Sequence, residues 1–430
     1  MARAAMRGEG PVLAGLAGSL IRPERDNLVE RPWGGDGIRR FKRIPADAGP
    51  ARRFGEAFEI SAFDADPEAG RYPSRVRLGD GSIVGLPGLL EAHGEVLLGE
   101  AWLRRHGACF PLLPKTLSVK ELLSVQGHPA GHTEVYIIID AEPGATLRLG
   151  FSRDLEAAEL ERDLVGGIAR QDELTHALGS SIDAGALQSV LAPWFADRTA
   201  GDAALSPWLE RSVTSRARRA TVLDLAGELK ALYWRVLDSM NAIEVRPGQV
   251  IYNATPKRLL SGSGALASAE VHALGNPEGR EILALEIRRP GPTFRAWDNV
   301  RFPKRAVDVG ATIAALNLCA TRPEEFMRER VPVPGRGGAF VSVDCEFFRV
   351  EHLRPARGRP VAVPGGGPHS LHCLAGTVAV IGDGGRALGR LEQGESALVP
   401  VGVGDYRVEV ADAAEAAAPA DVVRVTLPER

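Results

Sequence analysis

Residues 110–136, FPLLPKTLSVKELLSVQGHPAGHTEVY, decide how this chain is read. Within nine residues stand Gln126, His128, His132 and Glu134, each able to coordinate a borderline metal ion. Side chains on a strand alternate with period two, so a strand carrying Gln126 and His128 points both to one face. Pro129 and Gly131 signal a short turn, after which Glu134 opens an apolar strand, Val135-Tyr136-Ile137-Ile138-Ile139. Two neighbouring strands can therefore aim three ligands at one point inside a barrel.

Four further blocks surround this one in order. Glu30-Arg31-Pro32-Trp33-Gly34-Gly35 comes first, then Gly55-Glu56 with Glu59-Ile60-Ser61. Val271-His272-Ala273-Leu274-Gly275 follows, and then Glu286-Ile287 with Thr293-Phe294-Arg295 and Asp298. Together, over roughly residues 28 to 305, the blocks resemble the type I mannose-6-phosphate isomerases of the cupin superfamily. The resemblance implies a mainly β fold of cupin (jelly-roll) barrels with an inserted α-helical subdomain. It places Gln126, His128, Glu134 and His272 at the four protein-ligand positions of one Zn²⁺ per chain, with an open position for water or substrate. Amide, imidazole and carboxylate ligands suit zinc and also tolerate other divalent transition metals. The plain alternative is a barrel that keeps these polar groups as satisfied core residues with no metal.

The activity implied is interconversion of mannose 6-phosphate and fructose 6-phosphate, or of a close relative, by enediol proton transfer. Such chemistry needs a base, a stabiliser of negative charge and groups that hold the substrate. Glu286 is the candidate base, and its alternative role is a charge paired with Arg288 or Arg295. Arg295 matches the arginine expected to stabilise transition-state charge. Lys115 and Ser124 match pocket positions, where a lysine and a hydroxyl could bind phosphate or pass protons. For Lys115 the competing role is a solvated charge at a strand end.

Several departures cluster around the pocket rather than the metal. The family usually has a longer loop between its His-Pro and its Glu, with a lysine before the Thr-Glu pair. Here five residues separate His128 from Glu134, and His132 stands in the lysine's place. His132 is either an extra ligand, an acid/base group or a surface histidine on a tight turn, the last being the default. The family's Ser-Asp pair is replaced by Pro290 and Gly291, and its Gln-Gln by Arg288-Arg289. The segment between Gly248 and Val271 is longer and carries Lys257, Arg258 and a Gly/Ser-rich stretch. These changes keep a second class open: an isomerase-derived metal cupin that binds a sugar without turnover, or acts on a different sugar.

Composition sets the outer bounds. A chain of 430 residues, 44% hydrophobic, can build two or three domains with sizeable cores. A net charge of −3 argues against general binding to nucleic acid or anionic membranes, while a small sugar phosphate stays compatible. No run of about 20 apolar residues and no convincing signal-peptide core is present, so a cytoplasmic location is expected. Cys109, Cys319, Cys345 and Cys373 are scattered and read as buried reduced thiols.

Along the chain, residues 1–27 form an Arg-rich lead-in, loose or laid over the surface. Residues 28–151 and 244–335 read as a discontinuous metal-binding catalytic domain, with 28–150 alternating short apolar segments and Gly/Pro turns. Residues 152–243 read as a helical insertion, because Val222, Leu225, Leu229, Leu232, Val236 and their neighbours recur at helical spacing. Residues 336–430 read as a degenerate cupin-like β domain, with Ala411–Ala420 as a mobile loop. Its paired histidines, His369 and His372, lack a ligand-like spacing and are assigned packing and lid roles.

Overall fold

The apolar run Val135–Ile139 shows no alternation, as happens when a strand is covered on both faces. In the computed structural model, strand Glu134–Ala141 lies inside a seven-stranded antiparallel sheet. The structure describes residues 15–45, 52–62, 72–78, 81–179, 182–260, 266–411 and 419–428. The sheet order is Leu28–Gly35, Phe54–Phe58, Leu113–Val119, Ile282–Arg288, Glu134–Ala141, Val250–Asn253 and Met327–Arg328. A five-stranded sheet faces it, in the order Phe294–Trp297, Val125–Gly127, His272–Ala273, Thr146–Phe151 and Met240–Glu244.

Leu117, Val119, Tyr136, Ile138, Ile282 and Ala284 from the larger sheet pack on Leu147, Leu149 and Ile243 from the smaller. Alternation then sends Val135, Ile137, Leu285 and Ile287 to the opposite face. There they meet Leu86, Leu89, Leu90 and Phe110, together with Val343, Val350, Val423 and Val425 of a second pair of sheets. That second pair has six and four strands around Leu353, Leu371, Val380, Leu391, Val408 and Val422.

Between Thr146–Phe151 and Met240–Glu244 the chain is helical, in Ala157–Leu178, Ala184–Ala196, Ser206–Ser212 and Arg216–Asp238. Leu164, Val222, Leu229, Tyr233 and Leu237 bury one face against Val125, Ala273 and Trp297 of the five-stranded sheet. Strand structure resumes at Met240, slightly before the first strand former expected from sequence, Ile243. Gly248 adopts φ 87°, which completes the turn signalled by Pro247-Gly248.

Two helices, Leu86–Leu97 and Glu100–His106, occupy a stretch expected to hold only strands and turns. Pro87 sits in the first turn of the first helix, where its missing N–H costs nothing, so it marks a start rather than a break. Only Cys373 is buried; Cys109 and Cys345 are half-buried and Cys319 is exposed, all four unpaired. Part of the lead-in is anchored, since Ile21 is buried and bridges to Leu398. Residues 1–14 and most of Ala411–Ala420 lie outside the described residues. No helix among the described residues is long and apolar enough to cross a membrane.

A buried polar network joins the seven-stranded sheet to the six-stranded one. Lys42 Nζ donates to Glu59 Oε2 at 2.8 Å and to the Gly394 carbonyl at 2.9 Å. Thr116 and Ser396 also donate to Glu59, and His372 bridges Ser396 and Ser370. Removing one charge of such a pair strands the other. Lys42→Met is therefore expected to cost about 3–5 kcal/mol in urea unfolding, while Lys42→Met with Glu59→Leu recovers most of the loss. Burial pushes the His372 imidazole down to about 4. The unfolded chain then takes up the proton first as pH falls, so stability is full above about pH 6.5 and drains towards pH 4. His372→Gln should remove roughly 3 kcal/mol of that pH dependence, read from urea midpoints across this range.

Candidate active site

Strand register assembles the site at one end of the core between the seven- and five-stranded sheets. Glu286 is opposite Lys115 on one side and Tyr136 on the other, and Arg288 is opposite Glu134. On the facing sheet, His272 pairs with Gln126, which pairs in turn with Arg295. The residues Lys115, Ser124, Gln126, His128, Glu134, Glu286 and Arg295 line a single cleft, with His272 directly behind Gln126 and Glu134.

The four expected ligands converge. His128 Nε2 lies 2.9 Å from Glu134 Oε1, and His272 Nε2 lies 3.4 Å from Glu134 Oε2. Gln126 Nε2 lies 2.9 Å from His272 Nε2. An amide turned by 180° presents its oxygen instead, leaving its nitrogen towards Ser124 Oγ, now 2.9 Å from Oε1. Both histidines have their tautomer fixed from outside. His128 Nδ1 is 3.0 Å from the Pro292 carbonyl and His272 Nδ1 is 2.9 Å from the Glu270 carbonyl. A carbonyl only accepts, so each Nδ1 carries a hydrogen and each ring turns its Nε2 edge towards Glu134.

His132 is a correction to the surface-histidine expectation. It is 4% exposed, stacked on the His128 ring at 4.3 Å and 18°, with Nε2 3.7 Å from Glu134 Oε1. The ligating atoms of His128, His132 and Glu134 all fall within 4.8 Å of one another, a group that could hold a metal ion. The Arg288 guanidinium approaches His132 Nε2 at 3.5 Å, from the position where glutamine was expected.

A second line of charge runs beside these ligands. Lys115 Nζ lies 2.9 Å from Glu286 Oε2 and 3.1 Å from Glu56 Oε1, while Arg31 clamps the far side of Glu56. Lys115 and Glu286 are each 5% exposed, so Lys115 is not a solvated strand-end charge. Lys115 is the nearer partner of Glu286, with Arg288 Nε at 3.7 Å. Burial raises the Glu286 carboxyl, as does nearby Glu134, against the pull of Lys115. Glu56 is also deeply buried, yet Lys115 and Arg31 hold it down at about 2. Arg295 Nε donates to Ser124 Oγ at 3.3 Å, which ties the arginine to the strand bearing Gln126.

Sequence reasoning passed over Glu56, Arg31 and Tyr136 as site residues. Tyr136 donates its hydroxyl to Glu134 Oε2, and burial beside that carboxylate keeps the phenol protonated. A glutamate in the wholly buried strand Phe54–Phe58 was the available signal for Glu56. His369 and His372 lie on strand His369–Ala375 of the six-stranded sheet and do not line this cleft. His369 bonds Tyr406 Oη at 2.6 Å, and its imidazole is pushed down to about 3 by burial.

No protein-family model and no curated protein sequence matches the chain. Solved structures do. The mannose 6-phosphate isomerase from Bacillus subtilis superposes with a TM-score of 0.57 at 17% identity, covering 95% of this chain and 100% of that one. A mutant phosphomannose isomerase from Salmonella typhimurium gives 0.59 at 16% identity, covering 95% and 99%. A mannose 6-phosphate isomerase bound with zinc and yttrium gives 0.57 at 17%, covering 95% and 98%. This chain has the fold of the phosphomannose isomerases.

The residues fit a divalent metal. Donor atoms 2.9 and 3.4 Å apart are what a shared ion bonded at about 2.1 Å requires. The 2.9 Å contact from His128 Nε2 to Glu134 is not aligned as a hydrogen bond, so nitrogen and oxygen present lone pairs to a common point. Burial lowers the His272 imidazole, so that ring offers its deprotonated form to a metal. Incubation with Co²⁺ should therefore give visible ligand-field absorption at about one ion per chain. Glu134→Gln should weaken that binding at least about tenfold, with the fold intact by circular dichroism.

Proposed function

We propose that this chain belongs to the mannose-6-phosphate isomerase family and is a zinc-dependent aldose–ketose isomerase. Its substrate would be mannose 6-phosphate, exchanged with fructose 6-phosphate, or a closely related sugar phosphate. The observation that carries this reading is Glu286, a buried carboxylate with a raised pKa, held 2.9 Å from Lys115 in the cleft that contains the candidate ligands. Zinc held by Gln126, His128, Glu134 and His272 would polarise the sugar oxygens and stabilise enediolate charge.

The chain's own residues supply the proton movements. Glu286 takes a proton from one carbon and returns it to the neighbouring carbon, which asks for a pKa above the ordinary carboxylate value. Lys115, between Glu286 and Glu56, passes protons between substrate oxygens or binds an anionic group. Arg295 and Ser124, already hydrogen-bonded, present positive charge and a hydroxyl on the opposite sheet. Burial of the cleft strengthens each of these interactions. In this reading residues 28–151 with 244–335 form the catalytic cupin domain, 152–243 the helical insertion and 336–430 a second cupin-like β domain.

A second reading rests on the cleft's mouth. His132 and Arg288 are buried where the family has a longer loop and a glutamine, and Gly291 stands against the His132 ring. A reshaped mouth favours a different sugar, or binding without turnover. The test is a coupled assay for fructose 6-phosphate formed from mannose 6-phosphate by zinc-loaded protein. Turnover should vanish on chelation and return with zinc. Glu286→Gln should lower kcat by about 10²–10⁴ with zinc content unchanged. Folded, zinc-replete wild type without turnover would remove the mannose 6-phosphate assignment.

A further inference from the structure

The C-terminal pair of sheets is apolar through most of its interior, with Leu353, Leu371, Val378, Val380, Leu391 and Val408 in its core. At one end this changes. Glu351, 2% exposed, receives Arg336 Nη1 at 3.0 Å, Arg424 Nη1 at 3.0 Å and Arg349 Nε at 3.3 Å. His369 and Tyr406 bond each other at 2.6 Å beside this cluster, and Tyr406 interacts with Arg424. The polar end opens into a cavity of about 1020 Å³ between the C-terminal sheets and helix Glu100–His106.

Charge in this cavity is unbalanced. Three guanidinium groups surround one buried carboxylate, and Asp344, 2.7 Å from Arg349 Nη1, offsets only one more. Arg105 adds positive charge from the helix side. Glu100 also lines the cavity but is engaged by Arg104 at 2.9 Å. Arg424, 7% exposed, is neutralised by Glu351 at 3.0 Å, so the surplus positive charge lies on half-buried Arg336 and Arg349 and on exposed Arg105 along the cavity wall, where an anion can complete it. A planar guanidinium fork is suited to a phosphate or a carboxylate.

The opposite wall supplies apolar surface of fixed shape. Trp102 donates its Nε1–H to the Cys109 carbonyl at 2.9 Å and stacks on Phe110 at 6.1 Å and 8°. Gly367 packs against the Trp102 ring, and both residues line the cavity. A concave, largely apolar space with a few convergent charged groups is the ordinary form of a small-molecule site.

We propose that this cavity is a second ligand site, separate from the metal-bearing cleft. It would take a small organic anion, with its phosphate or carboxylate head on Arg349, Arg336 and Arg424 and its body against Trp102. Nothing in this assignment depends on the isomerase reading.

The test is calorimetric titration of the full zinc-loaded chain with inorganic phosphate and, separately, with succinate. Neutral mannose is the control. Saturable millimolar or tighter binding of at least one anion is expected. Arg105→Ala with Arg349→Ala, both at solvent-reachable positions, should weaken it at least about tenfold, while Arg295→Ala in the metal-bearing cleft leaves it within about twofold. Binding of phosphate but not succinate identifies a phosphate head, and the converse a carboxylate. Absence of saturable binding by either anion overturns the proposal. So does binding that survives the double substitution in a chain folded by circular dichroism, or that disappears with Arg295→Ala.

Discussion

The ionised Glu134 carboxylate is the constraint around which the centre is arranged. It is 1% exposed, and a carboxylate at that depth persists only with compensation on both oxygens. Tyr136 supplies it to one oxygen from two residues along its own strand, while His128 and His272 bring their Nε2 atoms close from the facing sheet. The histidines answer in a particular form, because the Pro292 and Glu270 carbonyls hold their Nδ1 hydrogens. Two imidazole nitrogens crowded on one buried carboxylate form an incomplete electrostatic arrangement. A divalent cation is the group that completes it.

That arrangement depends on sheets covered on both sides. Tyr136 and Glu134 can face inward only because Val135 and Ile137 face outward into a second apolar layer. The outer layer is shared with the C-terminal sheets, and the buried Lys42–Glu59 pair fixes how the two sheets meet. Thr116 bonds Glu59 on that outer face, while its neighbour Lys115 reaches Glu286 on the inner one. A single strand, Leu113–Val119, thus couples the packing of the C-terminal sheets to the placement of the lysine in the cleft.

Much of this was legible in the chain because ligands and strands obey the same period of two. Gln126, His128 and Glu134 could be placed from their spacing and flanking words, and the helical run through Leu229 and Val236 from its 3.6-residue recurrence. What escaped was set by neighbours distant in sequence. His132 sits on a tight turn and looks exposed; besides the His128 ring, the Gly291 segment and Arg288, more than 150 residues on, cover it. Glu56 gave one sign, a glutamate in a wholly buried strand, but its partner Lys115 lies 59 residues away. The helix at Leu86 was hidden by Pro87 and two glycines, which signal turns as often as helix starts.

The residues at the cleft's mouth have a common electrostatic sense. Arg288 and Arg289 bring two positive charges to the segment that leads to Pro290-Gly291. The guanidinium of Arg288 reaches past Glu286 to His132 and the Gly291 carbonyl, and is itself 2% exposed. Burial, and after it the Arg288 guanidinium, lower the His132 imidazole, and a cation that deep favours an anionic guest.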